Sequence, residues 1–133
     1  MVVPVPLHAS RLVQRRFNQS AELARAICIS QKMNYVPGAL VRKKRTRQQV
    51  GLSERDREAN VAGAFVVPNE AKSDIKGRRI LVVDDVYTTG ATSRAATRAL
   101  KRAGAKAVDV LVFAKVETDT VADLYADFRY EIA

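Results

Sequence analysis

The chain has 133 residues, of which 47% are hydrophobic, so it is long enough for one compact domain that buries about two thirds of its surface. Lys and Arg number 23 against 14 Asp and Glu, a net charge of +9 that favours polyanionic partners: nucleic acid, an anionic membrane surface or a phosphorylated small molecule. The single cysteine, Cys28, excludes an internal disulfide and a Cys-rich zinc site. We expect one domain over residues 1–133, with a core at about 2–116 and an acidic tail at 117–133.

The expected location of the protein and the distribution of charge along its sequence further restrict the classes of partner. No apolar stretch is long enough to cross a membrane, and the first ten residues lack the charged start and cleavage site of a signal peptide, so we expect a cytoplasmic protein without membrane association. Residues 42–47 (RKKRTR) are nearly all basic, whereas residues 117–133 contain five acids and a single Arg. The positive charge is therefore local.

Three elements are predicted in the first third of the chain. The β-branched, proline-containing segment 2–7 (VVPVPL) is typical of a strand at a sheet edge or of one that ends in a special turn. Residues 19–32 show the apolar spacing of a helix, with Asn18 or Ser20 as the N-cap. Residues 35–42 (YVPGALVR) predict a second strand, interrupted by a Pro-Gly pair.

The middle of the chain is polar. Residues 42–60 are expected to be mobile at first, and Ser53 can cap a short helix that runs to about Val61. Residues 71–79 (AKSDIKGRR) predict a polar connector with a turn at Gly77.

A strand, a helix and a second strand are predicted next. Residues 80–84 (ILVVD) are a continuous apolar run that predicts burial on both faces, as in the interior of a parallel sheet. Residues 91–103 are an Ala-rich helix candidate that ends before Gly104, and residues 107–116 (AVDVLVFAKV) predict another buried strand. This βαβ pattern predicts a parallel sheet whose functional edge lies at the carboxyl ends of its strands.

The acidic tail carries apolar side chains at Val121, Leu124, Tyr125 and Phe128, a spacing that predicts an amphipathic helix. Its apolar face either packs on the protein's own sheet or binds a partner. The sequence leaves both interpretations open.

Residues 80–92 (ILVVDDVYTTGAT) combine two adjacent acids with a turn rich in Thr and Gly. If a helix begins at residue 91, the turn at 88–92 presents unpaired backbone N–H groups and the positive end of the helix dipole, which favour a phosphate. Gly90 allows close approach of the backbone, and the Thr hydroxyls can donate to phosphate oxygens. The turn is therefore a predicted phosphate site.

We expect Asp84 and Asp85 at the carboxyl end of the strand. Carboxylates cannot bind a phosphate, so they suit the two hydroxyls of a ribose or a hard divalent cation. A ribose with a 5′-phosphate satisfies both halves of the segment. The alternative is that the acids only cap the turn and the Thr residues satisfy its backbone.

The same segment resembles the phosphoribosyl pyrophosphate (PRPP) signature of type I phosphoribosyltransferases. The resemblance implies an α/β fold, with a Rossmann-like parallel-sheet core flanked by helices and a mobile flap. It implies that Asp84 and Asp85 are the catalytic acids, which contact the ribose and take part indirectly in binding Mg²⁺. The PRPP 5′-phosphate would be held by Thr88, Thr89, Gly90, Ala91 and Thr92.

Other segments resemble the ComF/GntX-like branch of this family: VPVPLH, RRFNQSAELA, T..Q..L and R..NV.GAF. By this resemblance, residues 8–18 form the pyrophosphate loop and residues 42–60 form the flap. His8, which follows the first strand, is either a pyrophosphate contact or, as is more usual, a turn-forming or partly exposed histidine. The side chains assigned to these two segments are Arg15, Arg16, Asn18, Arg45, Gln49 and Arg57. Arg16 stands where many relatives have Gly, which puts the loop conformation in doubt. Relatives commonly begin with a Cys-rich segment of zinc-binding type that does not occur in this sequence.

Two functional hypotheses follow. The first is a pentosyl-group glycosyltransferase that moves the 5-phosphoribosyl group from PRPP to an unidentified small-molecule acceptor and releases pyrophosphate. The second is a non-catalytic PRPP- or nucleotide-binding protein that serves competence and DNA uptake, with weak single-stranded DNA binding. The basic cluster at 42–47 fits a flap, a solvated loop or a nucleic-acid contact, although four Tyr, four Phe and no Trp give weak support to base stacking. A homodimer and the identity of the acceptor stay open.

Overall fold

The structure, a computed structural model, describes residues 1–6, 18–43, 63–87 and 89–115. In chain order, the described elements are β1 (Val2–Pro4), α1 (Gln19–Gln31), β2 (Val41–Arg42), β3 (Phe65–Val66), α2 (Lys72–Ile75), β4 (Arg79–Tyr87), α3 (Ala91–Arg102) and β5 (Ala107–Lys115). Short 3₁₀ turns at Pro37–Ala39 and Asn69–Ala71 precede β2 and α2.

Three strands form a parallel sheet in the order β1-β4-β5. Val3 on β1 lies opposite Val82 on β4, and Val83 on β4 lies opposite Leu111 on β5. β2 and β3 form a separate antiparallel pair. The parallel sheet and the β4-α3-β5 unit confirm the α/β fold class that the sequence predicted.

β4 lies in the centre of the parallel sheet, between β1 and β5. Its aliphatic side chains are covered on both faces of the sheet. Ile80, Val82 and Val83 are each at most 1% exposed. A strand buried on both faces reads as an unbroken apolar run rather than an alternating one. The predicted burial of this strand is therefore confirmed.

The end of β4 differs from the prediction. The strand continues past Asp84 and Asp85 to Tyr87, which pairs with Lys115 on β5. The expectation that the two acids stand at the end of the strand is wrong, because backbone pairing with β5 carries the extended conformation beyond them. Both acids are members of the strand.

α1 begins where its N-cap satisfies the first free amides. The Asn18 side-chain oxygen accepts from the backbone N–H groups of Ser20 (3.0 Å) and Ala21 (3.3 Å), so the predicted cap is Asn18 rather than Ser20. The helix ends before Lys32, which adopts φ +52° and donates its N–H to the Cys28 carbonyl. A left-handed residue at this position is a usual helix terminus.

The two faces of the sheet carry different helices. On one face, Ala24 and Cys28 of α1 pack with Val2 and Val83. On the other face, the larger core joins α3 to side chains from β1, β3, β4 and α2. Because successive strand residues point to opposite faces, adjacent residues of β4 belong to different cores.

α3 matches its prediction closely. It begins after Gly90, and Gly104 with φ +99° follows its carboxyl end. Its buried residues are Ala91, Ser93, Ala95, Ala96, Ala99 and Leu100. The small Ala side chains let the helix backbone lie close to the sheet, and Leu100 supplies the large buried group.

The segments between these elements depart from the predictions. The region predicted as a polar connector contains α2, because Ile75 is fully buried and anchors it, although the turn at Gly77 (φ +74°) is present. The second predicted strand is reduced to β2 and a single parallel bridge between Tyr35 and Val2. β3 was not predicted, because among the described residues its pairing partner is the distant strand β2.

The prediction that β5 is buried is wrong. Val110, Leu111 and Phe113 are 39%, 41% and 74% exposed. β5 lies at an edge of the described sheet, and α3 covers only part of it. Its apolar composition therefore does not correspond to burial within the described part of the chain.

Several predictions fall outside the described residues: the helix at 53–61, the flap at 42–60 beyond residue 43, and the amphipathic tail. Among the helices that the structure does describe, none has the length and apolar character needed to span a bilayer.

Candidate functional site

An open cleft lies where β4 gives way to α3. It contains about 220 Å³ of empty space, adjoining solvent included. The lining residues are Asp84, Val86, Tyr87, Gly90, Ala91, Thr92 and Ser93. The cleft thus joins Asp84 and the last residues of β4 to the first turn of α3, two parts that are close in the sequence.

Asp84 is the buried acid of this cleft, with 7% of its surface exposed. Its Oδ1 atom accepts hydrogen bonds from Ser20 Oγ (3.2 Å) and from the backbone N–H of Asp85 (2.9 Å). Burial, and to a smaller extent the charge of neighbouring Asp85, raises the pKa of Asp84 from 3.8 to about 7. At neutral pH this carboxyl group is therefore poised between its two protonation states.

Asp85 is more exposed than Asp84 and uses its side chain locally. Its Oδ1 atom accepts from the backbone N–H of Val86 at 2.8 Å. The two acids thus accept from successive backbone amides of β4. Among the described residues, no backbone amide or hydroxyl donates to Oδ2 of either acid.

The turn before α3 is formed by Gly90, which has φ +86°. A Cβ atom at this position would lie 2.7 Å from Nη1 of Arg94 and nearer still to the Tyr87 hydroxyl. Only glycine combines this backbone conformation with such a close approach. The predicted need for Gly90 in the turn therefore has two physical reasons, the positive φ and the space.

The first turn of α3 has no side-chain cap, because its N-cap is Gly90. The Ala91 N–H donates to Thr89 Oγ1 at a long 3.4 Å. The free amides of a helix N-terminus and the positive end of its dipole favour an anion. This end of the cleft has the chemistry of a phosphate site.

Arg94 is a residue of this site that the sequence analysis missed. Its Nη1 atom donates to the Thr89 carbonyl at 3.0 Å, so its guanidinium folds back over the turn. The only signal was its position four residues after Gly90, one helical turn along α3. Arg94 brings a positive charge beside the predicted phosphate-binding residues.

The predicted site residues divide into three groups. Asp84 and the segment 90–92 line the cleft, whereas Asp85 and Thr89 adjoin its lining through hydrogen bonds from the amides of Val86 and Ala91. Asn18 lies near the carboxyl end of β1, where its side chain caps α1 and donates to the Val5 carbonyl at 3.1 Å. The remaining predicted contacts lie outside the described residues: His8, Arg15, Arg16, Arg45, Gln49, Arg57 and Thr88.

The donor set fits Mg²⁺ only together with a ligand. The described residues contain no group of three or more His, Cys, Asp or Glu side chains that could hold a metal ion. Mg²⁺ commonly takes one or two carboxylates and completes its coordination with water and substrate phosphates. Asp84 and Asp85, as a pair of adjacent carboxylates, fit this shared kind of site.

Solved structures share this fold. The chain is similar to the glutamine PRPP amidotransferase from B. subtilis in complex with ADP and GMP, with a TM-score of 0.55 and 24% identity over 84% of this chain and 22% of that one. It is also similar to an allosteric regulatory enzyme of purine biosynthesis, with a TM-score of 0.56 and 23% identity over 84% of this chain and 21% of the other. At these identities the likeness shows the fold alone.

Curated relatives are more similar in sequence. Competence protein F of Haemophilus influenzae is 35% identical over 113 residues, and the DNA utilization protein YhgH of Escherichia coli is 36% identical over 109 residues. Each match covers 82% of this chain but only 47% and 46% of the respective relative, so the chain spans about half their length. An orotate phosphoribosyltransferase of Nocardioides is 56% identical over a shorter stretch of 41 residues, 31% of this chain and 22% of the relative.

The sequence model of the phosphoribosyl transferase domain matches residues 18–132. This range includes the acids of β4, the turn at Gly90 and α3. The matched region and the similarity to Competence protein F agree with the parallel sheet and the cleft at its carboxyl edge. The chain therefore belongs to the phosphoribosyl transferase domain family, in its ComF-like branch.

Proposed function

We propose that this chain binds PRPP together with Mg²⁺ in the cleft between β4 and α3. The observation that carries the proposal is that one small cleft is lined both by the buried acid Asp84 and by the uncapped first turn of α3. The same cleft thus offers an acceptor for ligand hydroxyls and a site for a phosphate. A ribose 5-phosphate unit requires both.

The phosphate half is supported by the turn at residues 89–92. Backbone amides of α3 are available there, and Arg94 adds a guanidinium that holds the Thr89 carbonyl. Together they provide donors and positive charge for a phosphate dianion. We assign the 5′-phosphate of PRPP to this half, with Thr88 as an additional donor.

The ribose half is supported by Asp84 and Asp85. The carboxylate oxygens of the two acids can accept hydrogen bonds from the two ribose hydroxyls. When bound, Mg²⁺ would neutralise charge on the pyrophosphate of the ligand. These same two acids would assist its binding through ligand and water oxygens.

The proposed reaction moves the 5-phosphoribosyl group to a nucleophile. The bond between C1 of the ribose and the pyrophosphate oxygen breaks, its electron pair leaves with pyrophosphate, and the nucleophile forms the new bond to C1. Such a centre develops oxocarbenium-like positive charge, which the neighbouring carboxylates stabilise. Arg15, Arg45 and Arg57 are the proposed contacts of the departing pyrophosphate.

Isothermal titration calorimetry with PRPP and MgCl₂ tests the binding. The wild type should show saturable binding, and Asp84→Asn/Asp85→Asn should weaken it at least about tenfold, because hydrogen bonds to charged groups contribute about 1.5–3 kcal/mol. Asp74→Asn/Asp109→Asn is the matched control, since it changes the net charge equally at two exposed acids outside the cleft. Absence of binding by the wild type would refute the proposal.

Turnover is a separate measurement. Pyrophosphate release is assayed with PRPP, MgCl₂ and a panel of purines, pyrimidines and amines as acceptors. Release with one acceptor class supports the transferase. Binding without release across the panel supports the second candidate, a PRPP-binding accessory protein.

One surface favours that second candidate, in which the chain handles DNA. Residues 75–83 and 99–108 contain six cations and no acid, all at the amino edge of the parallel sheet. We define the amino-edge patch as Lys76, Arg78, Arg79, Lys101, Arg102 and Lys106. The two segments are joined by hydrogen bonds from Gly77 N to Gly104 O and from Lys106 N to Arg78 O, both 2.8 Å.

The charge of the amino-edge patch is not neutralised by described acids. Asp74 and Asp109 flank it in sequence, but the ion pair found in the described residues joins Arg25 and Glu22 instead. A local excess of cations attracts a nucleic-acid backbone. The relatives named for competence and DNA utilization agree with this use of the surface.

Fluorescence anisotropy with labelled oligonucleotides tests the patch. Lys76→Gln/Lys106→Gln should weaken binding and lower its salt dependence, whereas Lys32→Gln/Lys115→Gln, which removes the same charge elsewhere, should not. Equal losses of DNA affinity in the two variants would mean that the net charge of the protein, and not the amino-edge patch, attracts the oligonucleotide. In that case the amino-edge patch would not be a DNA-binding surface.

A further inference from the structure

Ser20 makes a long-range contact that neither helix capping nor core packing requires. Its Oγ atom donates to Oδ1 of Asp84 at 3.2 Å across 64 residues of sequence. Ser20 is 4% exposed and Asp84 is 7% exposed. The hydrogen bond therefore joins the start of α1 to the centre of β4 in a place that is largely shielded from water.

The local role usually filled by such a serine belongs to another residue. Asn18 caps α1, and its side-chain oxygen accepts the backbone N–H of Ser20 itself. Farther along the same helix, the residues buried against the sheet are Ala24 and Cys28. The hydroxyl of Ser20 is thus the polar group that the buried side of α1 directs at the acid.

The contact also selects one carboxylate oxygen. Ser20 Oγ and the Asp85 amide both donate to Oδ1, so they fix the rotation of the Asp84 carboxyl group. Among the described residues, no backbone amide or hydroxyl donates to the other oxygen. A carboxylate that is held in one orientation loses less entropy when it accepts a hydrogen bond from a ligand.

We propose that Ser20 is a positioning residue, which acts through Asp84 to aim its other oxygen at the ribose of the ligand. The inference rests on the proposed function, because it presupposes a ribose in the cleft. Ser20 itself does not touch the ligand. Its hydroxyl decides the orientation of the acid that does.

The test separates the ribose half of the site from the phosphate half. NMR titrations measure the affinities of ribose 5-phosphate and of inorganic phosphate for wild type, Ser20→Ala and Cys28→Ala. Ser20→Ala should weaken ribose 5-phosphate about tenfold and inorganic phosphate less than twofold, because only the acid loses its support. Cys28→Ala, a truncation on the same buried side of α1, should leave the ratio of the two affinities unchanged.

The other possible results would contradict either the positioning role of Ser20 or the proposed function. Equal weakening of both ligands by Ser20→Ala, or an unchanged ribose 5-phosphate affinity, overturns the positioning role. Wild-type binding of neither ribose 5-phosphate nor PRPP refutes the proposed function instead, and the inference falls with it. If Ser20→Ala does not fold, Ser20→Cys carries the same comparison, because a thiol keeps the size but donates only weakly.

Discussion

Asp84 and Asp85 are consecutive residues of β4, yet only Asp84 is buried, and the Asp85 amide donates to it at 2.9 Å. The pair thus contains one acid whose pKa is raised and a neighbour that stays near solvent. Burial thus changes the proton affinity of Asp84, and the stability of the fold should depend on its ionisation.

Asp84 should make the protein less stable as the pH rises. Its folded-state pKa of about 7 lies above its unfolded value of 3.8, so the folded protein binds the proton more tightly. This contribution is fully present below pH 3.8 and is lost as the pH rises through 7. At about 1.4 kcal/mol per pKa unit, the loss is at most about 4 kcal/mol.

Urea unfolding at pH 5 and pH 8 measures this contribution. Asp84→Asn, which cannot ionise at this position, should show a smaller decrease in the free energy of unfolding between the two pH values than wild type. Asp109→Asn, at an exposed acid of β5, should keep the wild-type decrease. Identical pH dependence in all three proteins would contradict the raised pKa.

Gly90→Ala is expected to affect ligand binding more than folding. The positive φ of Gly90 costs an L-residue about 1–2 kcal/mol, and the added methyl group must displace the Tyr87 hydroxyl and the Arg94 guanidinium. Gly77→Ala is the matched control, because Gly77 has φ +74° but open space around it. Both variants should lose similar stability in urea, and only Gly90→Ala should weaken ribose 5-phosphate in an NMR titration. Equal ligand affinity in both would show that the space at Gly90 is not needed.

Local sequence predicted the parts of the site that are local in space. The apolar run of β4, the turn at Gly90 and the start of α3 are consecutive, so strand burial, positive φ and helix capping could each be deduced from neighbouring residues. The end of β4 could not be deduced, because pairing with β5 extends the strand past the acids. The two-residue strand β3 was missed for the same reason, since only a distant partner makes it a strand.

The role of Ser20 and the exposure of β5 were not predicted for a similar reason: both depend on residues that are distant in sequence. The contact between Ser20 and Asp84 spans 64 residues, and no spacing rule connects them. β5 illustrates the opposite error: its apolar residues suggested burial, but burial depends on which elements cover an edge strand, and Phe113 is 74% exposed. Composition indicates what a segment can bury, whereas topology determines what it does bury.

Leu100→Ala tests the placement of α3 on the sheet. Leu100 is fully buried and is the largest buried side chain of this otherwise Ala-rich face. Its truncation should cost about 2–5 kcal/mol of unfolding free energy, because neighbouring Ala side chains cannot fill the space left behind. Ile29→Ala, at an α1 side chain that is 80% exposed, should change stability by less than about 0.5 kcal/mol. Comparable losses in urea unfolding would contradict the described packing of α3.

Arg94→Gln tests the residue that the sequence analysis did not identify. The guanidinium holds the Thr89 carbonyl at 3.0 Å and carries a positive charge beside the first turn of α3. Its neutralisation should weaken ribose 5-phosphate about fivefold in an NMR titration, since both the shape of the turn and the attraction for a phosphate are reduced. Arg98→Gln removes the same charge one turn farther along α3, at an exposed side chain outside the cleft lining, and should leave the affinity within twofold. Equal weakening by the two variants would mean that the general positive field of α3, rather than the contact between Arg94 and the turn, attracts the phosphate.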